Sequence, residues 1–230
     1  MTPIPNPLQD DRTRLRRSFR LALSFVALLW TIKMAGVIFH LDLVQYGVYP
    51  LQSGALTGII TGPLVHGSWS HLFTNTLPVV ILGTALFYGY PRSAKPALTV
   101  IWLGSGLGVW LFAREAYHIG ASGLTFGIMF FLLVIGILRW DKRAIALSMI
   151  IFFLYGSMIW GIFPSEPGVS YESHFFGAVI GTLLAFVLKK HDPMPEEKKY
   201  SWDYETDEEF DDINEAGNEE PYDQHGGQRD

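Results

Sequence analysis

Six stretches of this chain are apolar enough, for long enough, to cross a lipid bilayer. They are Leu21–His40, Leu72–Tyr90, Ala97–Ala113, Ile119–Leu138, Ala144–Phe163 and Ser173–Leu188. A crossing needs ~20 apolar residues to cover ~30 Å of hydrocarbon. The sixth stretch is short, so it is expected to begin below the surface or to meet a thin bilayer. Lipid offers no partner to a backbone N–H or C=O, so each stretch must be a helix that satisfies its own backbone. The expected fold class is therefore an all-α membrane protein with six transmembrane helices. Composition agrees: 49% of residues are hydrophobic, 17% are charged, and the mean hydropathy is +0.23, which excludes an ordinary soluble domain. The first stretch contains Lys33 and has no small-x-small site before His40, so it reads as a span and not as a cleaved signal.

The net charge of −5 hides a segregation. Residues 1–190 carry 14 Lys/Arg and 7 Asp/Glu, whereas residues 191–230 carry 3 and 15. Three regions follow: a basic N-terminus (1–20), a six-helix body (21–190) and an acidic tail (191–230). The tail has few aliphatic residues and is expected to be disordered. Basic residues gather at Arg12–Arg20, Arg92 and Lys95, Arg139–Arg143, and Lys189–Lys190, while the intervening loops hold only Arg114. By the positive-inside rule both termini lie in the cytoplasm. The short N-terminus points to a bacterial plasma membrane. No cysteine is present, which removes disulfides and thiolate chemistry. No nucleic-acid partner is expected.

Polar residues inside such segments are expensive, and they read first as functional. Counted from the basic residue at the inner end of its span, Ser122 is 17 residues up, His174 is 15 and Asn75 is 17. At 1.5 Å per residue these heights are ~25, ~22 and ~25 Å. His71 lies one turn above Asn75 on the same face. Three spans thus bring polar groups to one layer just below the outer surface.

Each group has a plain alternative. Gly120-Ala-Ser122-Gly123 reads alone as a cap with small residues for close packing. In the first turn of a helix, however, Ser122 would sit among unpaired N–H groups that favour negative charge. His174, Gly177 and Gly181 share one face of the sixth span, and Gly123 and Gly127 offer a matching small stripe on the fourth. If the stripes meet, His174 comes close to Ser122. Phe126, one turn below Ser122, is placed to stack on the His174 ring. His71 and Asn75 can donate to an oxyanion or serve as interhelical glue. His66 precedes the second span and is expected to brace the outer loop. No H-E-x-x-H is present, and no Asp or Glu lies inside a span, so neither a metal centre nor a buried-aspartate triad is expected. The nearest carboxylate, Glu172, is expected at the water boundary. What remains is a serine–histidine dyad with oxyanion donors, the parts for nucleophilic peptide hydrolysis.

The ordered set H-x4-H-x3-N, G-x-S-G and H-x2-G-x3-G, carried on the second, fourth and sixth spans, resembles the rhomboid family of intramembrane serine proteases over roughly residues 20–190. The resemblance implies a six-helix rhomboid bundle, Ser122 as nucleophile, His174 as general base, and an oxyanion hole from His71, Asn75 and the Ser122 backbone. It implies no cofactor, and single-pass membrane proteins as substrates cut near the outer boundary. Two features depart from the family pattern. Residues 41–65 contain neither Trp nor Arg, where members often carry a Trp-Arg pair, and Phe126 stands where tyrosine is frequent. The loop Pro164–Glu172 is expected to form a mobile cap, with substrates entering beside the fifth span. Rival readings are a non-proteolytic rhomboid-like escort and a small transporter. The transporter would need charged groups in the spans, which hold only Lys33.

Overall fold

The computed structural model describes residues 7–164 and 168–194; residues 1–6, 165–167 and 195–230, with most of the acidic tail, lie outside the described residues. Among the described residues, six helices are long and apolar enough to span a membrane. The first span is Pro7–Ile38, the second Trp69–Gly89, the third Ala94–Phe112 and the fourth Ser122–Arg139. The fifth, Lys142–Tyr155, continues as a 3-10 helix through Gly156–Ile162, and the sixth is Tyr171–Leu188. Among the described residues there is no strand, only an isolated bridge between Val48 and His118. The chain is a multi-pass helical membrane protein. The first helix begins well before Leu21, because hydropathy registers only the apolar part. Upstream, Pro7 suits a first turn and the arginines and leucines are good helix formers.

The fourth span is the centre of the bundle. Of its apolar window, 67% is buried, against 17–33% for the other five spans. Lipid supplies no hydrophobic drive between helices, so they associate by close packing, and small residues permit it. A Cβ on Gly177 would overlap the Gly123 carbonyl, and one on Gly181 would overlap the Gly127 carbonyl. The two glycine stripes therefore meet backbone to backbone. Elsewhere the fourth span buries Met129, Phe131, Leu132 and Ile135 against Leu82, Leu86 and Ile101.

The inner end of this span is tied down. Arg139 is 8% exposed; it donates from Nε to Asp141 Oδ2 (2.9 Å) and from Nη1 to the Asp192 carbonyl (2.8 Å). The Asp192 carboxylate accepts from the backbone N–H groups of Arg92 (2.8 Å) and Ser93 (3.1 Å), at the start of the third span. Residues 191–194, assigned by composition to the tail, thus fold under the bundle. Composition misses this because Arg139 and Asp192 look like ordinary surface charges until the fold brings them together.

Candidate functional site

The outer layer is assembled by residues 39–68, a run of short helical turns that grips the segment leading into the fourth span. Val48 and His118 exchange backbone hydrogen bonds (3.0 and 2.8 Å), and Gly120 N–H donates to the Gly62 carbonyl (2.9 Å). Gly120 has φ +106°, a conformation open mainly to glycine. A Cβ there would stand 2.5 Å from His71 Nε2. The turn before Ser122 therefore needs glycine twice, for its backbone and for the imidazole lying on it.

Ser122 is the first residue of its helix. The second, fifth and sixth spans start with side-chain caps: Ser68 accepts from His71 N–H, Asp141 from Ala144 N–H, and Ser170 from Ser173 N–H. The fourth has Ala121 at that position and no side-chain cap. Its first-turn N–H groups are left for another acceptor, and the helix dipole makes an anion welcome there.

His174 is 7% exposed and fixed twice. Its ring stacks on Phe126 with centroids 4.0 Å apart and planes 3° from parallel. Its Nδ1 lies 2.9 Å from the Gly161 carbonyl in the 3-10 continuation of the fifth span. A carbonyl can only accept, so Nδ1 carries the proton and Nε2 presents its lone pair. Gly123 and Gly177 in contact bring the two helix starts together. Among the described residues, no hydrogen bond joins Ser122 Oγ to His174; in unoccupied sites such bonds are often open and tighten around substrate.

Asn75 is 5% exposed, and its Nδ2 donates to the His71 carbonyl one turn above (2.8 Å). His66 is 4% exposed; its Nε2 faces Ala121 N–H at 3.5 Å and its ring lies edge-on to His71 at 5.0 Å. Burial above all, with His71 and Lys33 nearby, pushes the His66 pKa down to about 4, so it is neutral at neutral pH. Lys33 itself donates to the Gly67 carbonyl (2.9 Å), which carries its charge to the outer loop and off the bundle interior.

Two features were not foreseen. Glu172, expected at the water boundary, is 6% exposed and lies 3.5 Å from Arg114 Nη1. His118, absent from every motif, is buried (3% exposed) and bonded to Ser170 and the Arg114 carbonyl. The available signal was a histidine placed just before the Gly-x-Ser-Gly string. The expected cap Pro164–Glu172 falls partly on residues 165–167, outside the described residues.

The Rhomboid domain family model matches residues 53–191. The chain is 36% identical over 175 residues to the uncharacterized protein Mb1372 of Mycobacterium bovis, covering 72% of this chain and 73% of that one. It is 30% identical over 178 residues to the uncharacterized protein ML1171 of Mycobacterium leprae, covering 72% and 69%. To RHOMBOID-like protein 2 of Arabidopsis thaliana it is 31% identical over 133 residues, 54% of this chain and 39% of that protein. With six spans packed about a buried fourth helix, and a family match over more than half its length, the chain belongs to the rhomboid family, whose members are typically intramembrane serine proteases.

Proposed function

We propose that this protein is an intramembrane serine endopeptidase with Ser122 as nucleophile and His174 as general base. The observation that carries this reading is the posture of His174. It is stacked on Phe126 and tied through Nδ1 to Gly161, with Nε2 free beside a helix whose first residue is serine and whose first turn is uncapped. In that posture Nε2 takes the Ser122 proton as Oγ attacks the scissile carbonyl. The C–O bond to Ser122 forms, and the carbonyl π electrons move onto oxygen. The oxyanion is met by the Ser122 N–H, His71 and Asn75. Collapse breaks the C–N bond, and His174 returns its proton to the departing amine. Water, deprotonated by the same nitrogen, then hydrolyses the acyl-enzyme.

Gly120, Gly123, Gly177 and Gly181 support this by letting backbones and the His71 ring approach closely, and His66 by bracing the turn at Ala121. The proposed substrates are single-pass membrane proteins, cut near the outer boundary of a bacterial cell membrane, with both termini of the enzyme in the cytoplasm. A transmembrane helix hides its carbonyls, so a substrate must unwind locally; Gly or Pro near the cut should raise the rate, and equal cleavage of a uniformly helical substrate would count against this.

The test is cleavage of a model transmembrane substrate in proteoliposomes by wild type, Ser122→Ala and His174→Ala. Each substitution is expected to lower kcat about 10³-fold or more. Full activity in either variant would remove the dyad. A wild type that binds the substrate without cutting it would favour an escort role.

A further inference from the structure

The segments leading into Ser122 and into His174 are joined by a set of polar contacts that the proposed chemistry does not use. His118 Nδ1 lies 2.6 Å from Ser170 Oγ, and its Nε2 lies 3.0 Å from the Arg114 carbonyl. Ser170 Oγ lies 2.7 Å from Ser173 Oγ and accepts from Ser173 N–H (3.3 Å). Arg114 donates to the Val169 carbonyl (2.7 Å) and faces the Glu172 carboxylate (3.5 Å).

The direction of these bonds is forced. The Arg114 carbonyl accepts only, so His118 Nε2–H is the donor and Nδ1 is a lone pair. Nδ1 then accepts the Ser170 hydroxyl, which leaves Ser170 Oγ to accept from Ser173. The chain ends at Ser173, which neighbours His174 in sequence and touches Gly123, the residue after Ser122; a Cβ on Gly123 would lie 3.0 Å from the Ser173 carbonyl oxygen. Burial keeps the His118 pKa below the ordinary histidine value, so this polarity holds at neutral pH. The segment is anchored from the other side as well, since the His118 backbone is paired with Val48.

Building on the dyad proposed above, we infer that His118, acting through Ser170 and Ser173, is a positioning residue that sets the approach of Ser122 to His174. It touches neither the substrate nor the reacting atoms. Its contribution is to hold the starts of the fourth and sixth spans in register, and misplacement of about 1 Å between reacting groups is enough to cost about 10²-fold in rate.

The experiment compares wild type, His118→Phe, His118→Asn, Ser170→Ala and the Phe/Ala double variant in proteoliposomes. It reads kcat and KM on a model transmembrane substrate, the rate of fluorophosphonate labelling, and the thermal midpoint. His118→Phe is expected to lower kcat and the labelling rate about tenfold or more with KM within about twofold, as for other orienting partners. His118→Asn keeps an acceptor for Ser170 and should recover most of the loss. In kcat and labelling rate Ser170→Ala should resemble His118→Phe, and the double variant should be no worse than either, because both break one chain; Ser170→Ala also removes the cap on Ser173 N–H and should lower the thermal midpoint further. Wild-type kcat and labelling in His118→Phe, or additive losses in the double variant, would overturn the inference and leave the protease reading intact. If His118→Phe does not fold, His118→Asn and Ser170→Ala decide by the same criteria. A wild type that neither cleaves nor labels would overturn the protease reading itself, and the inference with it.

Discussion

The fourth and fifth spans are equally apolar and do opposite jobs. Both have a mean hydropathy of 2.0 over their best window, yet 67% of one window is buried and 17% of the other. The difference lies in the side chains. The fourth places Gly123, Gly127 and Gly136 where backbones and side chains of other helices press on them. The fifth turns Phe152, Phe153 and Leu154 outward, at 51%, 77% and 54% exposure. In lipid, hydropathy says that a helix is inserted; small residues at helical spacing say which neighbour it touches. The buried helix carries the serine and frames the site. The peripheral helix reaches the site through its 3-10 end, where the Gly161 carbonyl holds His174.

The largest test of this contrast is Gly177→Val. Its branched side chain would meet the Gly123 carbonyl, backbone that cannot swing aside, and a loss of about 3 kcal/mol or more is expected from overpacking of this kind. Unfolding in micelles measures it; an unchanged midpoint would mean that the two stripes do not meet. Next comes Phe126→Leu, which keeps an apolar side chain but removes the ring under His174. We expect kcat to fall about tenfold through lost orientation, while Phe126→Tyr stays near wild type. Gly161→Ala should act more weakly. The added Cβ stands 2.7 Å from Phe126 Cζ and nudges the carbonyl away from His174, so kcat should drop a few-fold with stability nearly intact. A larger loss of stability than of rate would make the fifth span a structural element after all.

A pH measurement probes the outer end of the fourth span. His66 has a folded pKa of about 4 against an ordinary 6.5, so the unfolded chain binds its proton first. The stability it protects is present above about pH 6.5 and is lost as pH falls toward 4. In His66→Asn the decline of the thermal midpoint across that window should be shallower than in wild type; an identical decline would remove His66 from the account. The smallest effect is expected for Phe153→Ala, a lipid-facing change on the fifth span, within about 0.5 kcal/mol and without effect on rate.

Much of the fold was legible in the sequence. The six spans stand where apolar length places them, and the fourth and sixth touch along the glycines that their spacing singled out. Stacking of Phe126 on His174 followed from one helical turn of separation. What was not legible depends on irregular chain. Nothing in residues 39–68 announces that Val48 will pair with His118, or Gly62 with Gly120. The Gly161 carbonyl has no side-chain signature. Sequence does not show Arg114 folding over Glu172, and Asp192 reads as tail because its partners are the N–H groups of residues 92 and 93. Helix-periodic contacts can be counted from sequence; contacts made by loop backbone cannot.

The central claim is that the Ser122 hydroxyl is made nucleophilic by His174. The most direct measurement is fluorophosphonate labelling in proteoliposomes, with the modified residue located by mass spectrometry, in wild type and in His174→Ala. A single adduct on Ser122 is expected in the wild type, and its loss in His174→Ala while that variant still unfolds cooperatively on heating. An adduct on another residue, or equal labelling of Ser122 without His174, would contradict it.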